Sequence, residues 1–402
     1  MISYHVYVFT VYMPKCIEML PATMIFRTVT IVCIYSMVLL QAASAQQLKK
    51  VANWVIHHAL VDTTTPGQPS FRIYPTVAYS PETDVEIGLT SLYLFQAKKD
   101  STNRISELTA FAFFTLQSQY GLWLENAIYG DKDKWFILGR ARYQRFPLLY
   151  FGIGPNTSKE LPAIVDANYL IFRQRVLRNI APNLFLGPEI DYQNLYNTSV
   201  EYDKSDPVME TIPGSEGSSN LGLGGAIVYD NRHNVLNVRK GLFAEFGVLT
   251  NANKLGSKYS FTRVNADVRS YLAVNKREVL AMQATANIFS GDVPFNQMAL
   301  VGGENMMRGY YYGRFRDKAM LAAQAEYRLL PFSFSKRIGG SVFASTAVVA
   351  PTINSLKPGN LEIAGGAGLR YLLFPTKDIF IRLDVGFTKE GSGFYFFIGE
   401  AF

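Results

Sequence analysis

The sequence predicts an all-β protein, a transmembrane antiparallel β-barrel of about sixteen strands. Segments of alternating polar and apolar residues follow one another from Phe71 to the end of the chain. The 28 Phe and 24 Tyr among 402 residues exceed the usage of a typical soluble domain, and they suit an apolar exterior with aromatic girdles. The connections between strands are short at one end and long at the other, as in outer-membrane barrels.

The strand at 379–387 shows the alternation clearly, with Arg382 and Asp384 on one face and Leu383 and Val385 on the other. Alternation with period two places successive side chains on opposite faces of a strand. Two structures fit such strands. In a soluble sandwich the polar face meets water outside, whereas in a membrane barrel it lines the lumen.

Connection lengths favour the barrel. With strands numbered from Phe71, the longest connections, 147–162, 194–219 and 291–317, all follow odd-numbered strands. Connections after even-numbered strands are mostly short and charged, as at 130–133. An up-and-down meander therefore places every long loop at one end, and we expect residues 71–402 to form one barrel.

The N-terminus is predicted to be a targeting segment. Arg27 precedes an apolar run from Val29 to Leu40, and Ala43-Ser44-Ala45 offers a cleavage site of small residues. This is the layout of a secretory signal peptide, which we assign to residues 1–45. Met24 is the more typical start for such a leader, so residues 1–23 are interpreted as an over-extended start.

The exported chain is then expected to begin with a short periplasmic segment, residues 46–70, that includes one amphipathic helix. Both cysteines, Cys16 and Cys33, lie in the leader. We therefore expect no disulfide and no cysteine-bound metal in the exported chain.

Nucleic-acid binding and catalysis find little support. The net charge of +7 is spread over single Lys and Arg residues, which argues against a nucleic-acid partner. The histidines of the exported chain, His57, His58 and His233, lack a neighbouring nucleophile motif, and the glycine runs 222–225 and 365–368 lack the Lys-Ser/Thr of a nucleotide site. We predict no enzyme activity, cofactor or metal; a barrel enzyme that uses His233 is the least favoured alternative.

The run from Val301 to Asp317 combines glycines, aromatic residues and arginines, and a strand with Glu326 on its polar face follows it. We expect this cationic loop to fold back and pair with the strand. An ordinary glycine-rich surface loop is the alternative.

Four motifs resemble those of the BamA/TamA superfamily of outer-membrane proteins, the bacterial surface antigen family, and the resemblance covers roughly residues 70–402. They are Phe151–Thr157; Tyr229–Arg232 with Asn237–Gly241; the loop motif Gly302, Gly303, Arg308, Gly309, Tyr310, Arg314 and Asp317; and a C-terminal signal with Phe394, Phe396 and Phe402.

The resemblance implies a sixteen-stranded barrel whose sixth extracellular loop folds into the lumen. Arg308 would pair there with Glu326 of the twelfth strand and, less directly, with Asp384 of the fifteenth. The family pattern expects an aspartate in the thirteenth strand, where this chain has Ser345. Glu326 is therefore expected to carry more of the pairing.

The resemblance also implies an outer-membrane location and a role in assembling or translocating proteins or lipids. About 25 residues separate the cleavage site from the first strand, whereas a domain needs ~50 or more, so the chain resembles members without periplasmic docking (POTRA) domains. The expected partners are outer-membrane lipids, client outer-membrane proteins or a separate periplasmic factor. A passive channel is the principal alternative.

Overall fold

The computed structural model describes residues 68–402 except 81–83, 117, 161, 202–211, 233–236 and 376–377. The predicted leader, most of the segment 46–70, and all three of His57, His58 and His233 lie outside the described residues. In the described part of the chain, no helix is long and apolar enough to cross a bilayer.

Sixteen antiparallel strands close into one barrel, which confirms the predicted fold class. They are β1 (Ser70–Ser80), β2 (Asp84–Gln96), β3 (Ile105–Thr115), β4 (Tyr120–Tyr129), β5 (Trp135–Arg145), β6 (Ala163–Ala181), β7 (Leu184–Glu201), β8 (Ser218–Asp230), β9 (Gly241–Asn251), β10 (Phe261–Ala273), β11 (Glu278–Gly291), β12 (Ala319–Leu329), β13 (Ile338–Ala350), β14 (Glu362–Phe374), β15 (Ile379–Thr388) and β16 (Gly391–Ile398).

Shorter elements lie in the connections. A strand at Leu148–Tyr150 pairs with β6, and Ala299–Val301 pairs with Phe315–Asp317 in a two-stranded hairpin. Single 3₁₀ turns lie at Ala97–Lys99, Asp131–Asp133, Asn253–Leu255, Ile353–Ser355 and Pro358–Asn360.

The two faces of the strands decide between the barrel and the sandwich. Leu89, Val342, Leu369 and Phe387 are each more than 50% exposed on the outside. The charged side chains that alternate with such residues are buried inside, as for Asp384. Hydrocarbon outside and charge inside is the arrangement of a barrel surrounded by lipid.

The long connections lie at one end of the barrel, as predicted, at 146–162, 202–217 and 292–318. The second is shorter than the sequence suggested, because β7 continues to Glu201 and pairs with β6 over that added length. We call residues 292–318 loop L6.

The seam between the first and last strands is the weakest junction of the barrel. β1 pairs with β2 along all 11 of its residues. Among the described residues, β1 shares a single registered pair with β16, Tyr79 opposite Phe396, beside a ring contact of 5.7 Å between Tyr79 and Phe394. Backbone pairing therefore closes the barrel over a much shorter distance here than at the β1–β2 junction.

Candidate functional site: the loop latch and the strand seam

Loop L6 folds into the lumen, where its apolar side chains form a core with the barrel wall. Met307, Tyr310 and Phe315 are almost fully buried and pack in one cluster with residues of β12 and β13 such as Met320 and Val349. If the loop faced solvent, these apolar side chains would be exposed to water. The burial of this apolar surface stabilises the inward conformation.

Two glycines allow the loop backbone to lie directly on the wall. Gly309 has φ +109°, in the region that favours glycine. Opposite it, a Cβ on Gly386 of β15 would lie 2.3 Å from the Arg308 carbonyl oxygen. Any larger residue at Gly386 would push the loop away from the strand. This contact therefore determines how far Arg308 reaches into the lumen.

Arg308 binds two carboxylates at once. Its guanidinium donates to Glu326 on β12 at 2.5 Å and to Asp384 on β15 at 2.5 Å. The same group lies 3.5 Å from the centre of the Phe343 ring on β13. All three charged side chains are at most 1% exposed. The loop arginine is thus tied to strands on both sides of β13 and β14.

These groups belong to a larger buried network, which we call the latch cluster. Arg370 joins it through Asp384 at 2.5 Å and Glu326 at 2.9 Å. Its members are the guanidiniums of Arg308, Arg328, Arg370 and Arg382 and the carboxylates of Glu326, Asp384 and Glu400. Buried charges are tolerated when each is paired and hydrogen-bonded, so each member of the network depends on its partners.

Ser345 takes no part in holding Arg308. Its hydroxyl donates to the Ala364 carbonyl oxygen at 3.4 Å, and β13 contributes the ring of Phe343 instead. The sequence assigned Glu326 the larger share of the pairing, whereas the geometry gives Glu326 and Asp384 equal distances. Asp384 reaches the guanidinium because Gly386 brings the loop backbone against β15.

The remaining residues of the loop motif fasten the outer part of L6. Tyr310 donates to Glu362 at 2.7 Å, and burial together with this carboxylate raises the pKa of its hydroxyl. Arg314 makes two bonds of 2.7 Å to Glu390. Gly302 and Gly303 have φ above +100° at the turn, and Asp317 accepts the Lys318 amide at 2.7 Å.

The motif Phe151–Thr157 docks on the loop motif, a contact that the sequence did not predict. The Gly154 amide donates to the Arg316 carbonyl oxygen at 2.8 Å. Arg314 donates to the Thr157 hydroxyl at 2.8 Å. Two long connections are therefore bound together over the lumen.

At the opposite end, the turn motif is held by ion pairs that the sequence analysis also missed. Arg232 binds Asp230, which also accepts the Tyr129 hydroxyl at 2.9 Å. Arg239 binds both oxygens of Asp378 at 2.5 and 2.7 Å. Only proximity in the folded barrel brings Arg239 and Asp378 together.

The last residues of the chain turn into the lumen. Phe394 and Phe396 lie on β16. Beyond Ile398 the chain bends at Gly399. The centre of the Phe402 ring then lies 6.3 Å from the centre of the Tyr271 ring on β10. The Phe402 carbonyl oxygen accepts from Arg328 at 3.0 Å. The residues expected to act as one linear C-terminal signal thus have different surroundings.

Glu400 connects this tail to the latch cluster through Arg370, at 2.9 Å. We expect Glu400→Gln to lower the free energy of unfolding by about 1–3 kcal/mol, because the guanidiniums lose a buried charged acceptor. The Gly399 amide, which donates to Phe380 at 2.7 Å, should exchange hydrogen faster. Thermal unfolding and hydrogen exchange measure both effects.

The matched control is Glu160→Gln, at an exposed loop position whose side chain makes no ion pair in the described structure. It should leave both quantities unchanged. Equal stability of Glu400→Gln and the parent chain would show that the tail is not anchored by this carboxylate.

Among the described residues, no group of three or more His, Cys, Asp or Glu side chains is arranged to hold a metal ion. The site described above consists of ion pairs and backbone edges. Its features are a loop fixed in the lumen and a seam with little pairing.

Comparison with known proteins identifies the family to which this barrel belongs. The model of the Omp85 superfamily domain matches residues 139–402. A search of curated proteins finds no match. Solved structures with the same fold include BamA from Haemophilus ducreyi lacking POTRA domains 1–3, with TM-score 0.53, 15% identity, and coverage of 83% of this chain and 70% of that one.

Two further similar structures are CdiB from Acinetobacter baumannii, with TM-score 0.50 and 9% identity, and CdiB from Escherichia coli, with TM-score 0.52 and 8% identity. The matches cover 82% and 84% of this chain. They cover 65% and 64% of the CdiB chains, so this chain spans slightly less than two thirds of their length. The family match extends over more than half of the sequence and includes the latch cluster and the seam strand β16. This chain belongs to the Omp85 superfamily and has its outer-membrane barrel.

Proposed function

We propose that this protein inserts or translocates protein segments at the outer membrane by pairing them with the open edges of the β1–β16 seam. The single registered pair between β1 and β16 is the observation that carries the proposal. Exposed strand edges accept an additional strand through main-chain hydrogen bonds. In a bilayer, unsatisfied backbone groups are costly, so a client strand entering the seam would be favoured.

The latch cluster supports this role by keeping the rest of the barrel rigid. Loop L6 is fixed by buried ion pairs to β12 and β15. The weak pairing lies at the β1–β16 seam, whereas β15 and β16 pair at eight positions. A barrel that opens at one place needs such a contrast between a fixed wall and a labile seam. The predicted leader, residues 1–45, and the periplasmic segment, 46–70, fit the same location.

Depletion of the protein, followed by quantitation of outer-membrane proteins and lipids, tests the proposal. We expect the levels of a defined set of barrel or surface proteins to fall while the levels of the other proteins stay unchanged. The proteins in that set are the clients. Unchanged protein levels would contradict the proposal. A selective fall of lipids alone would move the role from protein to lipid transport.

A passive channel is the second candidate, because the lumen retains a cavity of about 940 Å³ whose lining includes charged side chains. Stable conductance after removal of residues 301–317, combined with unchanged outer-membrane proteins on depletion, would favour this candidate. We propose no catalytic activity.

A further inference from the structure

The cavity beside L6 is lined by six arginines and five glutamates, and one of these arginines, Arg140, has no hydrogen-bonded partner among the described residues. The cavity lies between the wall strands, chiefly β1–β6, and L6, and its volume is about 940 Å³. Arginines from several of its strands face it: Arg140, Arg142, Arg173 and Arg263. Its size admits a small solute together with water.

Arg140 is the exceptional member of this wall. In register it lies opposite Arg173 on one side and opposite Glu125 on the other. Like charges directly opposite each other destabilise a strand pair. Glu125 attracts Arg140 from the other side, but its hydrogen bond is to Arg142. Among the described residues, Arg140 makes no hydrogen bond or ion pair.

The neighbouring carboxylates are already engaged. Asp191 binds Arg173 and Arg263. Glu189 binds Arg175 at 2.8 Å and Arg263 at 3.2 Å. Five guanidiniums, those of Arg140, Arg142, Arg173, Arg175 and Arg263, thus share four carboxylates, those of Glu125, Glu189, Asp191 and Glu245. The guanidinium without a hydrogen-bonded carboxylate is that of Arg140.

Unsatisfied polar atoms give independent evidence of excess hydrogen-bond donors around the cavity. Six buried side-chain atoms on cavity-lining residues lack a hydrogen-bond partner, and all six are N–H donors; none is an acceptor. They are Nε of Arg142, Arg263, Arg316 and Arg382, Nδ2 of Asn296 and Nε2 of Gln297. Buried donors without acceptors are unfavourable. Each of these atoms has almost no accessible surface, so the deficit shows an excess of donors in the wall around the cavity and not contacts to a solute.

Glutamates in the cavity lining restrict where an anion can lie. Glu86 and Glu107, on β2 and β3, also line it, and within the described structure neither pairs with a cation. Glu304 of L6 lines it as well. These carboxylates repel an anion, so an anion in the cavity is favoured beside Arg140 and Arg173.

We propose that the cavity binds a small oxyanion, a phosphate, sulfate or carboxylate group of a water-soluble solute, with Arg140 as its principal contact. A guanidinium donates two parallel hydrogen bonds to such a group. Arg173, directly opposite, adds a second positive charge. The protein thereby has a lumenal ligand in addition to its clients at the seam.

Titration of the purified full chain in detergent with inorganic phosphate, followed by calorimetry, tests the site. We expect saturable binding by the parent chain and a dissociation constant raised about ten-fold or more in Arg140→Gln, as loss of a charge-assisted bond implies. Arg145→Gln removes the same charge from the same strand at an exposed position outside the cavity and should bind like the parent.

Absence of saturable binding by the parent, or equal weakening in both variants, would overturn the proposal. Heat-dependent gel mobility checks that each variant is folded. If Arg140→Gln does not fold, Arg140→Lys decides the question: it retains the charge but loses the planar fork, so its affinity should fall several-fold, and an undiminished affinity would refute the role of Arg140.

Discussion

A disulfide across the seam should stop the protein from working. We expect the double variant Tyr79→Cys with Phe396→Cys to crosslink, because directly opposed residues of antiparallel strands lie within the Cα distance that a disulfide needs. The locked barrel would keep its fold but offer no strand edge. Client proteins should then fail to reach the outer membrane, and a reductant should restore them.

The control places the same bond where no opening is proposed. Phe387→Cys with Ser392→Cys joins β15 to β16, which pair at eight positions. This crosslink should leave assembly intact. The native cysteines, Cys16 and Cys33, lie in the predicted leader and give no competing thiol once it is removed. Full activity of the locked seam variant would exclude opening between β1 and β16.

The barrel could be predicted from the sequence because its signals are local. Alternation with period two in β15 and short turns between strands determine which face is polar and how many strands there are. The position of Glu326 beside the loop motif was predictable for the same reason. The role of Phe343 was not predictable, because no local pattern distinguishes a ring that packs on Arg308 from one that faces lipid.

Long-range features were also inaccessible. Glu400 joins the latch cluster only because the chain bends at Gly399, and a glycine near a chain end has many other uses. The number of registered pairs at the seam depends on the relative shift of β1 and β16 across the whole circumference. Arg140 is unpartnered because Glu125 pairs with Arg142 instead, a choice between two arginines on the same strand face that spacing leaves open.

Removal of Glu326 should destabilise the barrel more than removal of Arg308, although the two are partners. Glu326 also binds Arg328 at 3.0 Å and Arg370 at 2.9 Å. Without it, four buried guanidiniums share two carboxylates. Without Arg308, three guanidiniums face three carboxylates, and the charges of the latch cluster balance.

We therefore expect Glu326→Ala to lower the free energy of unfolding by about 3–5 kcal/mol, the cost of stranding buried charges. Arg308→Met should lower it by about 1–3 kcal/mol, as two charged hydrogen bonds are lost, and should mainly release L6. The temperature of the heat-dependent gel shift reports the first effect, and permeability to small solutes reports the second. Glu107→Gln, in the same lumen but without a cationic partner among the described residues, is the control.

The order of the two effects separates two accounts of the loop. If Arg308 alone held the structure together, its loss would cost at least as much as that of Glu326. A larger cost for Arg308→Met would show that L6, and not the network within the wall, supplies the stability. A larger loss for Glu326→Ala than for Arg308→Met would instead show that the carboxylates of the wall strands stabilise the latch cluster. Arg308 is then the part that fastens the loop to a barrel already stable on its own, and the seam can loosen while β12–β15 remain closed.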